Sequence, residues 1–324
     1  MKVQYRILIA ILAITAGVFL FKFLIGGSTV ALFAPEGAIA AQESSIIKIM
    51  VLLMLIVVVP MFVLLFTFAW KYRAGNPNAK YNPVRARSAW KQIVLWCVPA
   101  ALVAVLAVLN WNSAHAVDPY QPIPASAVAP GAQPLTIQVV ALTWKWLFIY
   151  PEQNIATVNF IEFPENTPVH FELTADAPMS TFWIPQLGSQ IYAMAAMETQ
   201  LSLIASSTGD YVGKDTEING AGYAGMTFTA QSVSQNDFNS WVAQVQQSSS
   251  TLDANAYNAL AEPSTYNPPA YYSSVAGDMF DTIMVKFMLP SSTLPASPAD
   301  GSPSQATSSV PDMPGMQMMP GMQM

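Results

Sequence analysis

Trp144-Lys145-Trp146-Leu147-Phe148-Ile149-Tyr150-Pro151 sets four aromatic side chains within seven positions, around a single lysine. The run lies near the start of a segment, residues 135–228, that closes on a glycine-rich loop, Gly220-Ala221-Gly222-Tyr223-Ala224-Gly225-Met226. Short alternating stretches accompany it: Thr136-Ile137-Gln138-Val139-Val140, Val158-Asn159-Phe160-Ile161-Glu162-Phe163, Val169-His170-Phe171-Glu172-Leu173, Leu201-Ser202-Leu203-Ile204-Ala205 and Met226-Thr227-Phe228-Thr229-Ala230. Alternation puts successive side chains on opposite faces of a strand. Pro, Asn, Asp and Gly separate the stretches. Short strands spaced in this way predict a β-sandwich or barrel.

Outward from this segment the composition changes. Over the whole chain of 324 residues, 53% are hydrophobic and 10% charged. Soluble domains carry roughly 25% charged residues, so a membrane protein is expected. Residues 1–111 hold ten basic and two acidic side chains; residues 112–324 hold three basic (Lys145, Lys214, Lys286) and 17 acidic ones. A formal net of −14 on the second part argues against nucleic acid as a partner. The one cysteine, Cys97, sits in an apolar run and is expected as a small buried hydrophobe.

Residues 1–33 start basic (Lys2, Arg6) and continue apolar, as a cleaved signal peptide or a retained signal-anchor does. Residues 46–70 and 92–111 are two apolar runs of the length a bilayer requires, about 20 residues. Each contains a proline, Pro60 or Pro99, which membrane helices tolerate. The loop between them, residues 71–91, carries six basic residues and no acid, which predicts a cytoplasmic loop. Both outer ends of the hairpin then lie on the periplasmic side. A Pro- and Ala-rich linker, 112–134, leads to the sandwich, 135–232. Residues 233–289 form an aromatic-rich region with three predicted helices: 235–245 with Asp237 in its first turn, 254–261 capped by Asp253, and 279–288. Residues 290–324 are Ser-, Pro- and Met-rich, without apolar periodicity, and are expected to be disordered.

Taken together these segments resemble a known family. Phe68-Ala69-Trp70-Lys71-Tyr72-Arg73, Trp144 through Gln153, and above all Phe182-Trp183-Ile184-Pro185-Gln186-Leu187-Gly188-Ser189-Gln190-Ile191-Tyr192-Ala193-Met194 are similar to motifs of subunit II of the haem–copper terminal oxidases. Pro263-Ser264-Thr265-Tyr266-Asn267 and Lys286-Phe287-Met288 resemble its quinol-oxidising, bo-type branch. The resemblance implies an α+β membrane protein: an N-terminal transmembrane helical hairpin, then an extracytoplasmic cupredoxin-like β-sandwich with short C-terminal helices. It also implies a bacterial inner-membrane location.

In members that oxidise cytochrome c, the sandwich holds a dinuclear copper centre on two cysteines, two histidines, a methionine and a backbone carbonyl. The resemblance sets the corresponding positions at or near Ser180, Glu217, Ala221 and Gly225. No cysteine occurs after Cys97, and thiolates are the soft ligands that such a copper pair requires. The expectation is therefore that no catalytic, cofactor or metal residue lies on this chain. Haem, copper and the ubiquinol site are expected on a partner, subunit I, with membrane lipid around the helices. Met226 is expected to pack in the core, and the two histidines, His115 and His170, to be structural. Gln92 falls where the family often has a glutamate near the mouth of a proton pathway. The implied function is subunit II of a proton-pumping ubiquinol oxidase. Two alternatives compete with it: a cytochrome c oxidase subunit II, which the missing cysteines oppose, and a membrane-anchored copper-handling protein. The second alternative draws on the six methionines among residues 313–324, since thioethers suit Cu(I).

Overall fold

The computed structural model describes residues 31, 34–77, 89–124 and 127–288. The expected signal or anchor segment, apart from Ala31, and the Met-rich tail lie outside the described residues. So does most of the basic loop.

Helix α1 (Ala38–Lys71) and helix α2 (Ala89–Ala116) continue through Pro60 and Pro99. Both are long enough and apolar enough to cross a bilayer. Ala41 and Ser45 near the start of α1 share a crevice with Asn112 and Ala116 at the end of α2, so the two helices are antiparallel neighbours. Their apolar side chains face outward: Leu52, Phe66, Trp96 and Trp111 are all exposed. Cys97 is exposed too, which corrects the expectation of a buried residue. A helix with no protein packed on that side leaves its small side chains for lipid or a partner to cover.

α1 begins eight residues before the apolar run, because its start is fastened to the sandwich. The Glu36 and Gly37 N–H groups both donate to the Gln186 carbonyl (2.9 and 3.1 Å), Ala40 N–H donates to Leu187 O (3.1 Å), and Ser206 N–H donates to Glu36 O (2.8 Å). Ser207 Oγ donates to the Glu36 carboxylate (2.8 Å), and Ser189 donates to that of Glu43. Gly37 lets the chains meet: a Cβ there would lie 2.5 Å from Leu187 O and 2.7 Å from Ile204 O.

The sandwich has a six-stranded sheet and a three-stranded one. The first contains β1 (Leu135–Leu142), β2 (Lys145–Tyr150), β3 (Ile155–Val158), β5 (Val169–Ala175), β8 (Thr199–Leu203) and β11 (Ala270–Tyr272), ordered β11-β3-β2-β1-β5-β8. The second is β4 (Phe160–Pro164), β10 (Thr227–Val233) and β9 (Gly209–Lys214), in that order. β1 pairs parallel with β5, and β4 with β10; the other pairings are antiparallel. β6 (Ser180–Phe182) and β7 (Ile191–Ala193) form a separate hairpin. The cupredoxin-like sandwich expected from the motifs is the fold observed.

The expected strand at 158–163 is two strands in two sheets. Asn159, between them, takes a left-handed backbone (φ 54°), a conformation asparagine tolerates. Its side-chain carbonyl accepts from Trp146 N–H (2.8 Å), and its own N–H donates to Trp146 O (2.9 Å). The chain thus leaves one sheet and enters the other at a single residue.

The six-stranded sheet is covered on both faces. Trp146, Phe148 and Tyr150 point into the core between the sheets, with Phe171, Phe182 and Phe228. Leu147 and Ile149 point the other way, into a second core with Leu252, Tyr257, Phe280 and Ile283. This explains why β2 reads as a continuous apolar run: strands buried on both faces lose polar alternation. Helix α3 (Gln235–Val245) packs Phe238 and Val245 into the first core; the second cover is the region after it, with helices α4 (Ala254–Ala261) and α5 (Met279–Lys286). Ser234 caps α3 through Asp237 N–H (3.2 Å), and Asp253 caps α4 through Ala256 N–H (2.8 Å).

Candidate functional site

The positions that the resemblance sets against copper ligands fall on β6 and on the loop from β9 to β10, which Asn219 joins. Ser180, fully buried on β6, accepts from Asn219 Nδ2 (2.8 Å). The same amide donates to Asp215 Oδ2 (2.9 Å), and Asp215 Oδ1 accepts the backbone N–H groups of Thr181 (2.8 Å) and Glu217 (2.9 Å). Burial pushes the Asp215 carboxyl up from its ordinary range, against the pull of those backbone donors. One carboxylate and one amide therefore tie β6 to the loop. Asp215 and Asn219 are the residues that sequence reading missed; no motif or periodicity marks them.

Glu217 and Ala221 lie on the outer part of the loop, and residues 223–225 form a single 3₁₀ turn. Two aromatic side chains close over its glycines. A Cβ on Gly222 would collide with the Trp144 ring and lie 2.5 Å from Thr265 Cγ2; one on Gly225 would lie 2.8 Å from the Tyr266 ring. Both aromatic residues have left-handed backbones, φ 62° at Trp144 and 54° at Tyr266. Met226 beneath is fully buried in the core.

The aromatic cover is itself fixed from below. Lys145, 2% exposed, donates from Nζ to Leu260 O (2.6 Å), Glu262 O (2.7 Å) and Ser264 Oγ (2.5 Å). Desolvation lowers its pKa, and the Glu262 carboxylate opposes that shift. Asn159 Nδ2 donates to Asn267 O (2.9 Å). The turn that carries Tyr266 is thus held at both ends by the sandwich.

These residues do not fit a dinuclear copper centre. Ser180, Asp215 and Asn219 offer hydroxyl, carboxylate and amide groups, bonded to one another or to backbone apart from the buried Asn219 Oδ1, whereas the centre takes thiolate, imidazole and thioether. Among the described residues, no three His, Cys, Asp or Glu side chains converge as a metal site would require. His170 faces Ser202 Oγ (3.2 Å), and His115 sits on α2 with Nδ1 2.8 Å from Trp111 O. Gln92 is exposed near the start of α2, remote in sequence from the sandwich. The fold and this closed loop define a class: a membrane-anchored sandwich protein whose ligand-loop end is filled by protein.

Comparison with known proteins agrees. The sequence profile described as COX Aromatic Rich Motif matches residues 246–291, a range that includes the described residues of the second cover. Cytochrome bo(3) ubiquinol oxidase subunit 2 of Pseudomonas aeruginosa is 46% identical over 264 residues, 82% of this chain and 78% of that protein. Ubiquinol oxidase subunit 2 of Acetobacter aceti is 43% identical over 264 residues, 82% of this chain and 85% of that protein. Among solved structures, the periplasmic domain of subunit II of cytochrome oxidase (CoxB) of Bradyrhizobium japonicum is similar at 23% identity and a TM-score of 0.33, over 34% of this chain and 91% of that one. The chain belongs to the ubiquinol oxidase subunit 2 family.

Proposed function

We propose that this chain is the second subunit of a proton-pumping ubiquinol oxidase of the bacterial inner membrane. Two ubiquinol molecules give up four electrons and four protons, and one O₂ is reduced to two waters. The haems, the copper and the quinol site of that reaction belong to a partner, subunit I. This chain supplies no catalytic residue. Both its helices cross the membrane against that partner, and its sandwich covers the periplasmic face.

One observation carries this reading. The chain has no cysteine beyond Cys97, and the loop around Glu217, Ala221 and Gly225 is occupied by an Asp215–Asn219–Ser180 network under Trp144 and Tyr266. An electron-entry copper pair has no ligands there, so a donor that delivers electrons directly within the membrane is required. The names of the relatives support ubiquinol as that donor.

The test is oxygen uptake by the purified complex with each donor in turn. Ubiquinol should sustain uptake, cytochrome c should not, and the polypeptide separated from its partners should hold no copper. Oxidation of cytochrome c with copper bound in the sandwich contradicts the proposal. Gln92, which cannot titrate, marks the mouth of the proton pathway in this reading. Gln92→Glu is then expected to change proton uptake during turnover; identical uptake and turnover removes Gln92 from the account.

A further inference from the structure

The molecule has a second feature that the oxidase reading does not use. Where α1 joins the sandwich, a crevice of about 580 Å³ opens between the helix and the loop after β6. Glu43, Ser44 and Ile47 line it from the helix; Trp183, Gln186 and Lys214 line it from the sandwich.

Its charge is unlike the rest of the domain. Three basic residues occur after Asn112. Lys145 is buried among its acceptors, and Lys286 is paired with Asp176 at 2.8 Å. Lys214 has no carboxylate partner among the described residues; its Nζ lies over the Trp183 ring, 5.0 Å from the centroid. The available cation of a strongly acidic domain therefore points into this crevice. On the helix wall stands a carboxylate, Glu43, oriented by Ser189.

Its level is also defined. The apolar run of α1 starts at Ile46, and a helix rises about 1.5 Å per residue. Glu43 then stands about 4–5 Å beyond the start of that run, while Ile47 lies within it. At this boundary of apolar run and water the crevice brings together Ile47, the opposite charges of Glu43 and Lys214, and the Trp183 indole against Lys214. Tryptophan favours that boundary.

The geometry points to a phospholipid site. The lipid phosphate pairs with Lys214, an ammonium headgroup meets Glu43, and the acyl chains run down beside Ile47. An ethanolamine headgroup satisfies both charges; a glycerol headgroup, being neutral, leaves the Glu43 carboxylate without a countercharge. The inference rests on the membrane reading proposed above.

The test uses the whole oxidase complex in lipid nanodiscs, with phosphatidylethanolamine or phosphatidylglycerol carrying a photoreactive group on the acyl segment nearest the headgroup. Labelled peptides are mapped by mass spectrometry. The ethanolamine probe should label peptides that contain Ile47 or Trp183. Lys214→Glu should lower that labelling about fivefold or more, while Lys214→Arg and Lys48→Ala keep it. Glu43→Gln should erase the preference for ethanolamine over glycerol. Three results overturn the site: unchanged labelling in Lys214→Glu, equal labelling by both probes in the parent, or loss of labelling in millimolar inorganic phosphate, which would indicate a free-anion site. Haem content and ubiquinol-driven oxygen uptake, read on the same samples, separate failure of the lipid site from failure of the oxidase reading.

Discussion

Lys145 is the residue on which the aromatic-rich region most depends. Its ammonium replaces water with two carbonyls and a hydroxyl, so removal leaves those acceptors buried and unmet. Lys145→Met keeps the apolar stem and is expected to cost about 2–4 kcal/mol. Chemical denaturation, with proteolysis of residues 246–288 as a second readout, checks it. Lys145 stands out in the sequence as the one charge in an aromatic run, yet its acceptors lie 115 to 119 positions away, beyond what local pattern reveals. Glu162 makes a different prediction. Burial, with the Asp237 carboxylate adding to it, raises its pKa from 4.5 to about 7. Between those values the folded chain keeps a proton that the unfolded chain has released, so stability falls as pH rises from 4.5 to 7. Below 4.5 both states are protonated and the effect vanishes. Glu162→Gln should flatten this slope and raise stability at about pH 8 by on the order of 1 kcal/mol, since partial solvation screens the full shift. Denaturation midpoints of both proteins across about pH 4 to 8 check the sign. A slope in the parent that rises with pH contradicts the assignment.

At the scale of elements, β2 and the start of α1 decide how the parts are joined. β2 is buried on both faces, so the sandwich presents an apolar face that residues 246–288 must cover. The continuous apolar reading of β2 was legible in the sequence; that a second core lay behind it was not, because the covering residues carry no pattern that names their target. Helices α3 and α4 were legible to the residue, since Asp237 marks the first turn of α3 above an apolar face that includes Phe238, and Asp253 caps α4. Strands β3, β6, β7, β9 and β11 were not: four of them have only three or four residues, and Gly209–Lys214 carries two glycines and two charges. The break at Asn159 escaped for a similar reason. Alternation continues through it, and only the left-handed backbone separates the sheets. The joint at Gly37 gives an element-scale prediction. In Gly37→Ala the new methyl meets backbone carbonyls that cannot rotate away, so the clasp should loosen. Hydrogen exchange at the amides of Ala40 and Ser206 should accelerate about tenfold or more, while the amides of β1 and β5 stay protected. Unchanged exchange at Ser206 would show that the clasp tolerates a side chain.

For the molecule as a whole, the closed loop end is the feature that connects fold to function. The loop between β9 and β10 is tied to β6 by hydrogen bonds and packed by the Trp144 and Tyr266 rings. The missing cysteines were legible in composition alone. What replaces them was not, because Trp144, Asp215 and Tyr266 come from three distant turns and meet only in the folded chain. If this end of the molecule is structural, altering it must leave electron transfer intact wherever the complex still assembles. The direct measurement is the rate of haem reduction by ubiquinol, per assembled haem, in complexes carrying Trp144→Phe or Tyr266→Leu. The account predicts a rate equal to that of the parent within about twofold, since neither ring lies on the electron path. A fall of about tenfold or more at unchanged haem content would place this chain on that path and contradict it.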